Sequence, residues 1–319
     1  MKIKNNIENS IGINEFSKLF GADPIELHQT CGQLINELNF SYSICSKEES
    51  EKINRDITLQ FSSFDFSISG PDRKVDWQTG WKENLNEFIA SDFNLESLLP
   101  RYLNKEPRPF RFNGNYIIAE SSTFEHDFMS VIRNWIFKKY LADSKNIYEF
   151  GCGASQNLAF LANLFNDKKY FGLDWVESSK DIIELISAHH GWDITGYKFD
   201  FYNPNPEINI LPNSGVFTLC ALEQIGDKYK LFVDYLLEQK PGICIHIEPI
   251  NELYDKNSKF DNIALKFHLS RNYLNNYLSY LNQLESENKI NILKIKKVNF
   301  GNFYHDGYSI VIWEANTND

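Results

Sequence analysis

Strand-like and helix-like hydrophobic patterns alternate along the second half of the chain. Five short apolar runs predict strands, and they are residues 147–150, 170–173, 194–199, 215–222 and 243–247. Helical spacing of apolar residues separates most of these runs, so the pattern predicts α/β architecture with a doubly wound, mostly parallel sheet. A helix is predicted before the first strand, over 125–141, and a long one after the fifth, over 259–284.

Two further strands close the chain, at residues 292–298 and 308–313. They are joined by a short turn around 301–307, and a parallel pair needs a longer connection, so they are predicted to pair antiparallel. The complete prediction is a seven-stranded sheet with an antiparallel terminal hairpin.

The first 109 residues have a different pattern. Helical spacing dominates residues 1–50, with Asp23 as a predicted cap before Pro24 at the first helical position. Partial alternation over 57–68 predicts one or two strands or an extended segment, and residues 77–88 suit another helix. We therefore predict a mixed, mainly helical region at 1–109 and an α/β domain at 110–319, packed together because no low-complexity linker separates them.

Composition narrows the classes of function. The chain has 319 residues and a net charge of 32 − 43 = −11, which argues against a non-specific binder of nucleic acid. No apolar run reaches the length of a membrane span, and the N-terminus lacks a signal-peptide core. Five scattered cysteines fit reduced thiols, so we expect a cytoplasmic protein with no membrane partner, and a homo-oligomer is allowed.

The most informative stretch is residues 146–157, where a predicted strand runs into Gly151, Cys152 and Gly153 before a helical pattern begins. A strand, a glycine turn and a helix start bring backbone N–H groups close to a ligand. Acidic residues end the next two predicted strands, at Asp174 and Asp200. In open α/β sheets, ligands bind beyond the carboxyl ends of the strands, so these residues predict one binding site.

This order of elements resembles the class I S-adenosylmethionine (SAM)-dependent methyltransferases. Residues 149–155 look like their first motif, acid-x-Gly-x-Gly-x-Gly, with Ser155 in place of the last glycine. The resemblance implies SAM as the cofactor. It also implies a ribose contact by Asp174, which follows Gly151 by 174 − 151 = 23 residues, and an adenine contact by Asp200. The cofactor-binding residues implied in this way are Glu149, Gly151, Cys152, Gly153, Asn157, Asp174, Trp175, Asp200 and Phe201, with Cys152 as a spacer and Trp175 over the adenine face.

Several stretches also look like bacterial sugar or nucleotide-sugar O-methyltransferases of surface-polysaccharide biosynthesis. They are residues 100–102, 125–140, 222–224, 246–249, 271–274 and 304–308. This resemblance implies a small hydroxylated acceptor, with the N-terminal region as a lid that carries acceptor specificity.

A hydroxyl acceptor needs a base, and histidine titrates near neutrality. Five residues near the carboxyl edge of the predicted sheet are candidates for catalysis, namely His246, Glu248, His268, His305 and Glu223. His246 and Glu248 are two apart on a strand and face the same way. The alternative is that His246 is a hydrogen-bonded core histidine and Glu248 a structural cap. His246, Glu248, His268 and His305 are residue types that bind metal ions, but they do not have the close sequence spacing of a metal-binding motif, so no metal is predicted.

Candidate substrate-binding residues are Arg108, Arg111, Gln224, Arg271 and Tyr273. Arginine forks bind phosphate, which suits a nucleotide-sugar diphosphate, and Arg101 is a further candidate on the same grounds. Salt bridging is the alternative role for these arginines, and a helix-capping loop is the alternative for Glu223 and Gln224.

The leading hypothesis is therefore SAM-dependent transfer of a methyl group to the hydroxyl of a sugar or nucleotide-sugar. Three others stay open: N-methylation of an amino sugar or other small molecule, a nucleotide-linked oxidoreductase, and a catalytically silent binding protein. The oxidoreductase is included because a glycine turn followed by an acid also fits dinucleotide binding.

Overall fold

A seven-stranded mixed sheet forms the framework of the second half of the chain. A computed structural model describes residues 9–63, 66–100 and 108–316, so the predicted loop around Arg101 lies outside the described residues. The strands of this sheet are β5 (Asn146–Phe150), β6 (Lys169–Asp174), β7 (Ile194–Lys198), β8 (Ser214–Leu219), β9 (Ile243–Glu248), β10 (Ile290–Lys296) and β12 (Ser309–Ala315). Their order is β10-β12-β9-β8-β5-β6-β7, and the prediction of an α/β fold is confirmed.

The direction of the strands changes near one edge of this sheet. The four pairings from β7 through β6, β5 and β8 to β9 are parallel, whereas β12 pairs antiparallel with both β9 and β10. The chain moves outward from β5 in one direction to β6 and later in the other direction to β8. The carboxyl end of β5 is therefore a topological switch point, where open α/β sheets bind their ligands.

Helices cover the faces of the sheet. Those of the second half are α5 (Phe124–Tyr140), α6 (Gln156–Leu164), α7 (Glu177–His190), α8 (Lys230–Gln239), α9 (Lys259–Arg271) and α10 (Tyr277–Ser286). Helix α7 ends where Gly191 adopts φ 68°, a left-handed conformation that glycine accepts without strain. The single long helix predicted at 259–284 is wrong, because Asn272 and Asn276 both take left-handed conformations and separate α9 from α10.

The described part of the N-terminal region contains four α-helices, α1 (Ile13–Phe20), α2 (Pro24–Glu37), α3 (Lys47–Ser63) and α4 (Lys74–Ala90). The cap at Asp23 is confirmed, since its carboxylate accepts the N–H groups of Ile25 and Glu26. The strands predicted over 57–68 are wrong for residues up to 63, which belong to α3. Ser46 and Glu49 cap that helix reciprocally, with Glu49 N–H donating to Ser46 Oγ at 3.2 Å.

A second sheet, which the sequence did not predict, connects the two regions. Its antiparallel strands are β1 (Asn9–Ser10), β2 (Ser41–Ile44), β3 (Phe110–Phe112), β4 (Asn115–Ala119) and β11 (Phe300–Asn302), in the order β1-β2-β4-β3-β11. The predicted boundary at residue 109 therefore falls inside a set of strands that pair with one another. The connection between β10 and β12 is also more than a turn, because β11 leaves the large sheet and pairs with β3. This detour brings residues 302–308 to the carboxyl edge of the large sheet, beside the candidate site.

Candidate functional site

The glycine turn after β5 leaves no room for side chains. Gly151 and Gly153 have φ values of 75° and 51°, which favour glycine. A Cβ atom on Gly151 would lie 2.4 Å from the Cβ of Ala221, and one on Gly153 would lie 2.7 Å from the indole of Trp81. The turn is thus held closely between the segment after β8 and helix α4.

Asp174, the last residue of β6, fixes the turn from the neighbouring strand. Its Oδ2 atom accepts the N–H of Gly153 at 2.9 Å, and its Oδ1 atom accepts the N–H of Val176 at 3.2 Å. Burial raises the pKa of this carboxyl to about 6, against the opposite effect of these backbone N–H groups. A carboxylate has further lone pairs, so Asp174 can accept hydrogen bonds from a ligand as well.

Glu149 lies beneath the turn in a buried polar chain. Asn157 donates to Glu149 Oε1 at 2.6 Å, and Arg133 donates to Asn157 Oδ1 at 3.1 Å. Burial raises the pKa of Glu149 to about 8. Its Oε2 atom is buried and has no hydrogen-bond partner among the described residues, so it is a polar atom with which a ligand can form a hydrogen bond.

Three adjoining cavities open around this turn, and Trp77 and Cys220 border all of them. The first, of about 540 Å³, is bordered mainly by aromatic side chains, and its lining includes Trp81, Gly151, Asp174, Trp175, Phe201 and Tyr202. The second, of about 770 Å³, is the turn pocket, and its lining includes His126, Arg133, Glu149, Gly151, Cys152, Gly153, Gln156 and Asn157.

Eight of the nine predicted cofactor residues therefore line one of these two pockets. The exception is Asp200, whose carboxylate accepts the N–H of Tyr202 at 2.9 Å and does not line any of the three cavities. The sequence prediction missed Trp77 and Trp81, which stack on each other with ring centroids 5.6 Å apart. Their spacing predicted a helix, but it did not indicate that this helix lies across the glycine turn.

The third cavity, which we call the acceptor cavity, has a volume of about 1300 Å³. Six of the predicted catalytic and substrate-binding residues line it together, namely Arg108, Glu223, Gln224, Arg271, Tyr273 and His305. Burial, followed by the nearby carboxyl of Glu248, raises the pKa of Glu223 to about 8. Gln224 donates to Glu223 Oε1 at 2.6 Å, and Arg108 is paired with Glu125 at 2.7 Å.

His305 and His268 are in direct contact at the wall of the acceptor cavity. His305 Nδ1 lies 3.1 Å from His268 Nε2, so one ring donates to the other. Burial, followed by neighbouring positive charge, lowers the pKa of His305 well below its usual range. Both rings are therefore neutral at neutral pH. His305 borders the cavity, whereas His268 is not among the lining residues and acts only behind His305.

The structure does not support His246 and Glu248 as groups that touch a substrate. His246 is fully buried within β9, with its Nδ1 3.0 Å from Thr218 Oγ1, and burial lowers its pKa to about 3. Glu248 is also fully buried, and it accepts the N–H groups of Ala221, Leu222 and Glu223. Both residues match the structural alternative, a core histidine and a cap.

The prediction that Arg111 binds substrate is contradicted in the same way. Its guanidinium is fully buried, ion-paired with Asp261 at 3.1 Å and Asp306 at 3.4 Å, and lies 3.6 Å from the centroid of the Phe260 ring. It joins β3 to α9 and to the segment before β12, which is the salt-bridging alternative. Over residues 9–63, 66–100 and 108–316, no group of three His, Cys, Asp or Glu side chains could hold a metal ion. The helices in those ranges include none long and apolar enough to cross a membrane.

Comparisons with known proteins give only distant similarity. No family model matches the chain, and no curated protein matches it. Among solved structures, the [4+2]-cyclase SpnF has 11% sequence identity and a TM-score of 0.48, over 75% of this chain and 95% of that one. A geranyl diphosphate methyltransferase in complex with SAM has 9% identity and a TM-score of 0.44, over 60% and 87%. Human N-acetylserotonin methyltransferase in complex with SAM has 13% identity and a TM-score of 0.40, over 62% and 57%.

Proposed function

We propose that this protein is a SAM-dependent methyltransferase that acts on a hydroxyl group of a small molecule, such as a sugar or nucleotide-sugar. The observation that carries the proposal is the junction at Trp77 and Cys220. There, two pockets rich in carboxyl groups and aromatic rings meet a third cavity that holds Glu223 and His305.

The residues of the first two pockets fit the chemistry of SAM. Asp174, Trp175 and Phe201 would hold the nucleoside, since a carboxylate suits ribose hydroxyls and aromatic rings suit a base. The unpartnered Oε2 of Glu149 would pair with the amino group at the other end of the cofactor, and a cationic amino group beside this carboxyl would favour its ionised form. When bound, SAM supplies an electrophilic methyl group on its sulfonium. A dinucleotide fits less well, because its diphosphate would occupy the same turn beside the carboxyl of Glu149.

In this proposal, Glu223 takes the proton of the acceptor hydroxyl. Its raised pKa, about 8, makes its carboxylate a stronger base than an ordinary glutamate, and the fraction of the residue in that form increases as the pH rises through this value. Gln224 and His305 would orient the acceptor beside it, because both line the same cavity and carry hydrogen-bonding groups.

We further propose that the N-terminal region is the lid of this site. Helix α4 supplies Trp77 and Trp81 to the pocket walls. It is held against α7 by Gln78, which donates to Ser178 Oγ at 3.0 Å and accepts the N–H of Glu177 at 3.0 Å. Movement of α4 relative to the large sheet would change access to the glycine turn, since the indole of Trp81 lies next to Gly153.

Calorimetric titration with S-adenosylhomocysteine, with NAD as the control ligand, tests the cofactor. Binding of S-adenosylhomocysteine alone is expected, and binding of NAD alone would reverse the proposal in favour of an oxidoreductase. Transfer of labelled methyl from SAM to a panel of sugars, nucleotide-sugars and amino sugars then tests the acceptor. If the label is found on nitrogen instead of oxygen, the assignment changes from an O-methyltransferase to an N-methyltransferase. If the cofactor binds and no methyl group is transferred, a catalytically silent binding protein is favoured.

A further inference from the structure

The acceptor cavity has an excess of positive charge at neutral pH, although the chain as a whole carries −11. Its charged lining residues are Arg73, Arg108, Arg271, Glu125 and Glu223. Arg108 and Glu125 neutralise each other at 2.7 Å. The pKa of Glu223, about 8, leaves that side chain mainly protonated at pH 7. The charges of Arg73 and Arg271 therefore remain.

The two guanidinium groups that remain have unused hydrogen-bond donors. Arg73 Nη1 and Arg271 Nε are buried, and neither atom has a hydrogen-bond partner among the described residues. Arg73 Nε lies 2.7 Å from Asp76 Oδ2, but the Asp76 side chain is 60% exposed and water weakens its effect. Arg271 lies over the ring of Tyr273, 5.3 Å from its centroid, and makes no ion pair in the described structure. Buried donors without acceptors are costly and rare, so their presence in a cavity wall indicates a missing acceptor.

Hydrogen bonds at Ser69 connect the segment before Arg73 to the segment that contains Arg271, although the two arginines are far apart in sequence. The N–H of Ser69 donates to the carbonyl of Arg271 at 2.8 Å, and Asn272 donates to the carbonyl of Ser69 at 3.2 Å. Ser69 Oγ also donates to Gln224 Oε1 at 3.1 Å. The segment that leads into Arg73 is thus tied to the end of α9 and to the loop after β8, which makes the pair a built feature of the cavity.

We propose that Arg73 and Arg271 form an anion subsite that binds a phosphate group of the acceptor. Two guanidinium groups match the charge and the several acceptor oxygens of a phosphate better than those of a single carboxylate. The identification of the anion as part of the acceptor rests on the proposed function. Under that function, the acceptor is a sugar phosphate or a nucleotide-sugar, and a neutral sugar is excluded.

Calorimetric titration with inorganic pyrophosphate tests the subsite in the full-length protein. The variants Arg73→Gln and Arg271→Gln should each weaken pyrophosphate binding by about tenfold or more, because each loses a charge-assisted contact. Arg55→Gln is the matched control, since Arg55 is exposed on α3 and the change in net charge is identical. It should bind pyrophosphate within about twofold of wild type. Acetate, used as the carboxylate probe, should bind more weakly than pyrophosphate.

Several results would overturn the proposal. The first is that the wild-type protein does not bind pyrophosphate at about 10 mM, and the second is that both arginine variants bind it as tightly as wild type does. The third is that Arg55→Gln loses as much pyrophosphate affinity as the arginine variants do, and the fourth is that wild type binds acetate more tightly than pyrophosphate. S-adenosylhomocysteine, titrated separately, reports on the proposed function. If it fails to bind while pyrophosphate binding depends on both arginines, the anion subsite stands and the methyltransferase assignment falls. If S-adenosylhomocysteine binds and pyrophosphate does not, the methyltransferase assignment stands and the anion subsite is refuted.

Discussion

Replacing Asp174 with asparagine tests the centre of the proposed cofactor site. The two carboxylate oxygens of Asp174 accept different backbone N–H groups, Oδ2 from Gly153 and Oδ1 from Val176. In Asp174→Asn one oxygen becomes an NH₂ group. Whichever way the amide is turned, NH₂ faces one of these N–H donors, so one hydrogen bond is lost and two donors oppose each other.

The size of the effect follows from these contacts. Leaving a buried N–H unsatisfied costs about 1–3 kcal/mol, and a hydrogen bond to a charged group contributes about 1.5–3 kcal/mol. The first cost should appear as a lower free energy of unfolding of the free protein. The second should appear in binding, where loss of the carboxylate contact to the ribose should weaken S-adenosylhomocysteine affinity by about 10- to 100-fold.

Urea denaturation measures the first quantity and calorimetric titration the second. Asp193→Asn is the matched control, because Asp193 precedes β7 at the opposite end of the same sheet and its side chain is 58% exposed. It removes the same charge and should change S-adenosylhomocysteine affinity by less than about twofold. If Asp174→Asn also binds within about twofold of wild type, Asp174 does not contact the nucleoside and the proposed pocket is refuted.

The pH dependence of the same variant gives a second check. Burial raises the pKa of Asp174 to about 6, above an unfolded value of about 3.9. Between these two values the folded state holds a proton that the unfolded state has released, so this group lowers the free energy of unfolding as pH rises from about 4 to about 6. Asp174→Asn should remove that part of the slope. S-adenosylhomocysteine affinity should fall below pH 6 in wild type and lose this dependence in the variant.

Three further predictions concern the acceptor cavity and the buried charges. With an accepted substrate, the rate of methyl transfer should rise with pH through about 8. Glu223→Gln should lower this rate by about 100-fold or more and remove its rise with pH. If the pH dependence of the rate is the same in the variant as in wild type, Glu223 is not the base. His305→Asn should lower turnover, whereas His246→Asn should spare turnover per folded molecule; the opposite order would return His246 to the mechanism. Arg111→Met should cost about 3–5 kcal/mol in urea denaturation, because it removes a fully buried guanidinium and leaves Lys297 alone to neutralise both Asp261 and Asp306. Arg55→Met is the exposed control. If Arg111→Met lowers the free energy of unfolding by less than about 1 kcal/mol, the structural role of Arg111 is contradicted.

The features that could be predicted from sequence are those with a local physical cause. Gly151 and Gly153 stand where positive φ and close approach exclude a side chain, and Asp23 stands where a helix needs a cap. Strand periods and the short terminal connection predicted the large sheet. The error over 57–63 came from reading partial alternation as a strand, although the Ser46 and Glu49 capping pair also lies in the sequence and starts a helix.

His246 and Glu248 were predicted to act in catalysis because they lie on β9, but not every residue of a strand reaches the edge of the sheet where a ligand binds. His246 and Glu248 share one face of β9, as predicted, but His246 pairs in register with Thr218 inside the sheet. Only the end of a parallel strand reaches the ligand edge. Glu248 is at that end, but its carboxylate is used by three N–H groups of the following segment. Position along the strand and competition from local donors therefore decided against both residues.

The contribution of the N-terminal region could not be predicted, because it depends on contacts between residues about a hundred positions apart. Gln78 meets Ser178 and Glu177 on α7, and these contacts bring Trp77 and Trp81 over the glycine turn. No local pattern encodes such a pairing, since the same helical spacing would suit any buried face. The N-terminal region therefore shares in the proposed cofactor site as well as the acceptor cavity, to which it supplies Arg73. Binding of cofactor and binding of acceptor would then act on the same helix, α4, so that each should alter the affinity for the other.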